Sequence, residues 1–451
     1  MASAAEYRVS NAVDVVNLTG KLQGGDVVVM LNGDWKKQSV EFAGRGTAGR
    51  PITLRPETPG KAMLLDGSTL AVDGEHLIVS GLAFGAGESD RSAVELRGAY
   101  CRLTETSIVD GNYKFFVHVR GTSNRVDHCY LAGKTSVHPT LQVEVEGKPN
   151  YHRLDHNYFG PRPPLRRNGG ETIRVGYSHQ SMTNSATLVE YNLFERCDGE
   201  NEIISNKSCE NVYRFNTFRD CAGMFTLRHG NRCRVESNFF FGNGKRGSGG
   251  IRVIGEDHVV INNYIEGVQE GGFWITSGIV DSPLNGYFQA RNCLIAFNTF
   301  VDSPGPALDL DAGIGRSRRT LLPENITVAN NLLCPTDGHV LNGDEGKGFK
   351  WLANVASTPA ATNDTKLRVI NLKLARAEDG LLRPASASLM RKAAEGDFPA
   401  ITFDIDGQPR TGRYDIGCDQ FSTEPRTNRP LTPADVGPLW MKSSRLVTST
   451  Q

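Results

Sequence analysis

Apolar residues along most of this chain come in short runs that alternate with polar ones or stay apolar, then stop at Gly, Asn or Asp. Val212-Tyr213-Arg214-Phe215, Val259-Val260-Ile261 and Leu294-Ile295-Ala296-Phe297 show the pattern. Such runs predict short strands, and amphipathic helical periodicity is almost absent. A motif, often Asn-x-aromatic, recurs with them: Asn157-Tyr158-Phe159, Asn192-Leu193-Phe194, Asn216-Thr217-Phe218, Asn238-Phe239-Phe240, Asn263-Tyr264-Ile265, Asn298-Thr299-Phe300 and Asn331-Leu332-Leu333. Weaker copies precede it at Leu82-Ala83-Phe84, Thr106-Ser107-Ile108 and Cys129-Tyr130. The tightest spacings are 22 to 25 residues, and the longer ones, 29 to 35, fit the same coil with a loop inserted.

A β repeat of this length predicts an all-β fold, a right-handed parallel β-helix whose coils stack about 4.8 Å apart as a single-stranded solenoid. The repeated Asn is expected at a tight turn, in left-handed backbone, hydrogen-bonded to its neighbour on the adjacent coil. A leucine-rich repeat would need a leucine framework that is missing, and a propeller would need longer repeats. Residues 1–22 read as an N-terminal segment and cap. Residues 23–420 read as the β-helix catalytic domain with a closing segment over 380–420, and 421–451 as a C-terminal surface tail. Segments 366–377 and 385–394 read as mixed or weakly helical.

Polar residues in the middle of the chain fall into phase with the repeat. Counted from each motif's third residue, Asn168 lies nine after Phe159, Glu202 eight after Phe194, Arg228 ten after Phe218 and Arg252 twelve after Phe240. These offsets are expected to put all four on one face. Glu200 and Glu202 are two apart and point the same way on a strand, and Lys207 precedes Arg228 by nearly one coil. Alone, a Glu-x-Glu pair is usually solvated and a lone arginine usually forms a surface ion pair. Their recurrence in phase favours a site. Two carboxylates and an amide oxygen suit a hard cation, calcium better than magnesium.

Lys+Arg and Asp+Glu both number 50, so the chain carries no net charge. The global field therefore offers no argument for nucleic acid or a membrane as partner. Positive charge is instead local: Lys207, Arg214, Arg219, Arg228, Arg232, Arg234, Lys245, Arg246 and Arg252 outnumber Glu210, Asp220 and Glu236. An acidic polysaccharide is the expected partner, since a nucleic acid would call for exposed aromatic platforms and the aromatics here sit at repeat positions. The nine cysteines form no CxxC pair, and Cys197, Cys209, Cys221 and Cys233, spaced every twelve residues, read as small buried fillers.

Beyond these readings, the strings Asn168-Gly169-Gly170-Glu171-Thr172-Ile173-Arg174-Val175-Gly176, Glu200 to Ser208 and Arg228-His229-Gly230 resemble polysaccharide lyase family 6, the alginate lyases and chondroitinase B, and the first string is closer to the alginate lyases. The resemblance runs from about Gly25 to Cys418. It implies calcium as cofactor, held by Asn168, Glu200 and Glu202, with Lys207 as Brønsted base and Arg228 as Brønsted acid. It implies substrate contacts from Arg252 and His229, and the basic pair Lys245 and Arg246 is expected to join them. The implied reaction is β-elimination: the C5 proton of a uronate is removed and the O4-linked sugar leaves. A lysine, with a reference pKa of about 10.4, serves as base near neutral pH only if its cation is destabilised, as calcium and Arg228 nearby would do. An arginine is an awkward proton donor, so Arg228 either donates or only holds charge at the leaving oxygen.

Alternatives from the same residues are a chondroitin or dermatan sulfate lyase, a uronate C5-epimerase and a non-catalytic glycan-binding β-helix. A hydrolase fits less well, because its carboxylates would straddle a bond. The first residues, Met1-Ala2-Ser3-Ala4-Ala5-Glu6, lack the regions of a signal peptide. A secreted or periplasmic monomer is nevertheless expected, since large polysaccharides are met outside the cytoplasm.

Overall fold

The computed structural model describes residues 4–357, 366–384 and 389–442. They form two compact units, the first from residues up to 177, 183–203 and the segment from 431, the second from 178–182 and 204–430. Both are parallel β-helix: short strands pair in parallel with their counterparts one coil away. Among the described residues no helix is long and apolar enough to cross a membrane.

In the first unit each coil contributes a strand to each of three sheets. One sheet runs through Leu77–Ser80, Arg102–Thr104, Arg125–Asp127, Arg153–Asp155 and Leu188–Glu190. A second includes Ser107–Val109, Tyr130–Ala132, Tyr158–Phe159 and Leu193–Glu195, and a third Val117–Val119, Leu141–Val143 and Ile173–Gly176. Inward residues in register stack into a continuous core. Phe159 lies flat on Phe194, ring centroids 4.8 Å apart. The helix Ala12–Val16, capped by the Asn11 side chain, belongs to the N-terminal end.

The outer face of the first sheet carries an ion-pair ladder. Arg102 grips Asp127 through two bonds of 2.7 and 2.6 Å, Arg125 grips Asp155 in the same way, and Arg153 reaches Glu190. Register explains it: the arginines stand opposite one another on successive coils, as do the carboxylates. Burial opposes ionisation of Asp127, yet hydrogen bonds from Arg102 and His128 and the charges of Arg102 and Arg125 hold its carboxyl well below the usual range.

Residues 431–442, within the segment expected as a surface tail, lie against this unit. Leu431 and Val436 pack with Tyr158 and Leu193. Gly437 N donates to His156 O, and the Trp440 indole to Glu105 O.

The second unit repeats the design. Its sheets include Val212–Arg214, Arg234–Glu236 and Val259–Ile261; Thr217–Arg219, Phe239–Phe241 and Tyr264–Glu266; and Gly223–His229, Ser248–Val253, Phe273–Thr276 and Leu308–Ala312. Asn216, Asn238, Asn263, Asn298, Asn331 and Asn354 form a buried ladder in which each side-chain oxygen accepts from the backbone and side-chain amides of the previous one at 2.9–3.1 Å. The expected bond between coils is there. The left-handed residue, however, is the one before the asparagine: Phe215, Ser237, Asn262, Phe297 and Asn330 have φ between 52° and 56°. That residue makes the corner, and the asparagine after it turns its side chain inward.

The segment 366–377, expected to be mixed or weakly helical, carries two short strands. Leu367–Ile370 pairs in parallel with Asn354–Ser357, and Leu374–Arg376 pairs with Leu382–Pro384. An open edge on the preceding coil offers backbone partners, and pairing outweighs a weak local preference. Within 385–394, residues 385–388 lie outside the described residues. The closing segment is tied by Arg383, which pairs with Asp379, Asp406 and Asp419. Ile405, Ile416 and Cys418 pack against Val301 and Leu332. All nine cysteines are buried and free, as fillers should be.

Asp127→Asn should destabilise the protein by about 3 kcal/mol at neutral pH, because it leaves Arg102 facing a neutral amide. A depressed carboxylate pKa contributes stability that is full above the unfolded value of about 4 and fades as pH falls towards the folded value. The gap between variant and wild type should therefore narrow below about pH 4. Denaturant melts from pH 7 to pH 3 check this, and a gap independent of pH would contradict the ladder's role.

Candidate functional site

In the first unit, three carboxylates converge. Ligand oxygens of Glu171, Glu200 and Glu202 lie within 4.8 Å of one another. Glycines make this approach possible. A Cβ on Gly170 would meet the Gly199 carbonyl oxygen at 2.4 Å, so the two backbones touch only because both residues lack side chains. Gly169 and Gly170 then donate their N–H groups to Glu200, at 2.6 and 3.0 Å. Arg162, fully enclosed, braces the segment by donating to the carbonyls of Ser136, His138 and Glu171. Burial, then the charge of Glu171, push the Glu200 carboxyl up to about 7 despite the two N–H groups, and Glu202 adds to the effect. Arg174 reaches Glu171 at 3.6 Å, and carboxylates gathered this closely are a hard-oxygen donor set suited to a metal ion.

Asn168 is exposed and Glu202 half-buried. Glu171, missed as a ligand, sits in the same string as Asn168 and is buried; its place beside two glycines that only a tight backbone approach requires was the available signal. The other acidic trio, Asp404, Asp406 and Asp419, is not comparable, because Arg383 occupies it.

In the second unit, cations gather instead. Lys207 ends the strand Glu202–Lys207, Arg228 lies in Gly223–His229 and Arg252 in Ser248–Val253. Arg252 stands opposite Thr226, two residues from Arg228, so both arginines share the outer face that the phase count expects. His229 turns inward: its ring is buried, edge-on to Phe288, and its carbonyl accepts from Asn206 at 2.7 Å. Burial first, then Arg228 and Lys207, push this imidazole down to about 2. It is neutral at any working pH. The motif's third residue is again a glycine of necessity: Gly230 has φ +85°, and a Cβ there would meet Ser208 O at 2.2 Å.

Two residues the sequence reading did not select complete this cluster. Tyr287 is half-buried, and its ring is approached by the guanidinium carbons of Arg228 at 4.1 Å, Arg319 at 4.5 Å and Arg252 at 5.6 Å from the centroid. Arg228 also donates to Gly286 O at 2.8 Å, fixing the loop beside it. Burial and the charges of Arg252, Arg228 and Arg316 push the Arg319 guanidinium down, with Tyr287 opposing them. Both residues lie in stretches inserted where motif copies are 35 and 33 residues apart, the one signal that could have found them.

Other expected members are elsewhere. Lys245 donates to Asp220 O at 2.7 Å and Arg246 is exposed; neither is among the cations around Tyr287. Much of the basic stretch is dispersed too. Arg232 pairs with Glu210, Arg234 with Glu236, and Arg214 and Arg219 lie over Phe215 and Phe241. A coil turns through three sheets, so charges close in sequence leave it in different directions.

Comparisons with known proteins place these parallel coils in a family. The Chondroitinase B family model matches residues 9–396, and the chain belongs to that family, polysaccharide lyase family 6. The PL6 family alginate lyase AlyGC superposes with a TM-score of 0.85 at 34% identity, over 96% of this chain and 58% of that one. This chain thus spans little more than half of AlyGC. A mannuronic acid specific family 6 lyase from human gut microbiota gives 0.74 at 33% identity, over 82% of this chain and 92% of that one. The family 6 lyase Pedsa3628 from Pseudopedobacter saltans gives 0.76 at 26%, over 96% and 99%. A search of curated proteins finds no match.

Gly230→Ala should cost about 1–3 kcal/mol through backbone strain and displace Arg228 and His229. Thermal melting should show the loss of stability, and an unchanged melting temperature would contradict the tight turn.

Proposed function

We propose that this chain is an alginate lyase, cleaving the 1,4-glycosidic bond of a uronate polymer by calcium-assisted β-elimination and releasing 4,5-unsaturated oligosaccharides. One observation carries the reading: Arg228, Arg252 and Arg319 crowd a single half-buried ring at mutual electrostatic cost. Such crowding is relieved by an anion, and successive uronate carboxylates supply one per sugar. The match to family 6 alginate lyases supports the same substrate.

In this mechanism Lys207 takes the C5 proton, and Arg228 and Arg252 hold substrate carboxylate or leaving oxygen where negative charge develops. His229, neutral and buried, orients Arg228, whose guanidinium lies 3.4 Å from its Nδ1. Asn168, Glu200 and Glu202, joined by Glu171, would hold calcium. The donor set fits, since hard oxygens are gathered and a carboxyl among them is destabilised by its like-charged neighbours. When bound, the ion supplies positive charge at the uronate carboxylate and so acidifies the C5 proton. The enzyme acts as a secreted or periplasmic monomer, with no nucleic acid or membrane as partner. Chondroitin or dermatan sulfate is the second reading, on the strength of the family model.

Wild-type protein should raise the ultraviolet absorbance of the unsaturated uronate on adding alginate, and Lys207→Ala should reduce kcat about 10²- to 10⁴-fold. No absorbance change with any uronate polymer would sink the proposal. A chelator should abolish activity, with calcium restoring it better than magnesium, and isothermal titration should show weaker calcium binding for Glu200→Gln. Activity indifferent to chelation would remove calcium from the reading.

A further inference from the structure

The outer face that carries Arg252 continues for two more coils of the second unit. Arg252 stands opposite Trp274, and Trp274 opposite Asp309. Their chain neighbours Phe273, Ile275, Leu308 and Leu310 are buried, so Trp274 and Asp309, both half-buried, project outward. A guanidinium, an aromatic ring and a carboxylate thus stand in file, one per coil. Two coils span about 10 Å, enough for one uronate ring to lie over Trp274 with its carboxylate toward Arg252 and its hydroxyl edge toward Asp309.

Tryptophan occurs four times in the chain, and Trp274 differs from the rest. Trp35 is buried, Trp351 stacks on Phe349 with Lys366 over its ring, and Trp440 lies against Gly60. Among the described residues no other ring and no cation covers Trp274. Its indole N–H donates to Glu270 O at 2.9 Å, which ties down the only polar atom of the side chain and fixes the ring. What remains is an apolar, π-bearing surface beside a residue already assigned to the substrate. Asp309 is equally uncommitted, since among the described residues no basic side chain pairs with it.

Building on the lyase reading, we propose that Trp274 is a specificity-determining platform on which a mannuronate ring stacks, its carboxylate held by Arg252 and its hydroxyls donating to Asp309. Stereochemistry selects the sugar. In the mannuronate chair the hydrogens on C1, C3 and C5 all stand axial on one face, an unbroken C–H surface for the indole. In the guluronate chair each face carries an axial oxygen. The negative face of an aromatic ring attracts C–H groups and repels oxygen lone pairs, and an oxygen pressed against it loses its water. Asp309 repels the carboxylate edge by like charge, so the ring seats in one orientation.

Trp274→Phe and Trp274→Leu both remove the indole N–H, but only the first keeps an aromatic face. Thermal melts establish that both are folded. On mannuronan and guluronan blocks of equal length, wild-type protein should favour mannuronan in kcat/KM. Trp274→Leu should lose about ten-fold of that preference, through KM, and Trp274→Phe should keep most of it. Asp309→Ala should separately raise KM for mannuronan with kcat within about two-fold of wild type. A wild-type preference for guluronan, an equal loss on both polymers, or equal behaviour of Trp274→Phe and Trp274→Leu overturns the platform while leaving the lyase intact. An unchanged KM in Asp309→Ala overturns the seating of the ring. Failure of wild-type protein to cleave either polymer overturns the lyase reading itself.

Discussion

The asparagine ladder is the constraint on which the second unit depends. Each buried amide must be satisfied, and each is: Asn238 donates to Tyr213 O and to Asn263 Oδ1, and its own oxygen accepts from Asn216. Leaving one buried amide unpaired costs about 1–3 kcal/mol, so a coil that slipped by one residue would lose several bonds together. Locked register in turn aligns everything else in the coil. Phe218 stacks on Phe240 inside, and Thr226 stands opposite Arg252 outside. In the first unit Asn157 and Asn192 make the same bond.

Charge is handled in two opposite ways. On the outer face of the first unit, Arg102, Arg125 and Arg153 each find a buried carboxylate, and attraction offsets the cost of burial. At the candidate sites like charges are brought together. Glu171, Glu200 and Glu202 face one another, and three arginines surround Tyr287. Groups destabilised by like neighbours are poised for a ligand of opposite sign.

Legibility followed the range of the interaction. The repeat, the parallel strands and the buried cysteines were readable, because they depend on residues one coil apart in a regular count. Arg228 and Arg252 were readable for the same reason, since phase is conserved where spacing is tight. The corner residue was assigned one position late, because asparagine tolerates the left-handed region in general, whereas here its side chain is needed for the ladder. Strand pairing at 367–370 was invisible locally, since its partner edge exists only once the preceding coil has formed.

By itself the chain's pattern determined a stack of β coils and the residue types of a family 6 site. Only the tertiary structure decided which charges act together. It sent Arg214, Arg219, Arg232 and Arg234 away from Arg228, brought Glu171 to Glu200 through a contact between two glycine backbones, and carried Tyr287 and Arg319 in on inserted loops. The reason is geometric. Residues in regular coils inherit their direction from a count along the chain, whereas residues in insertions take theirs from whatever the loop packs against.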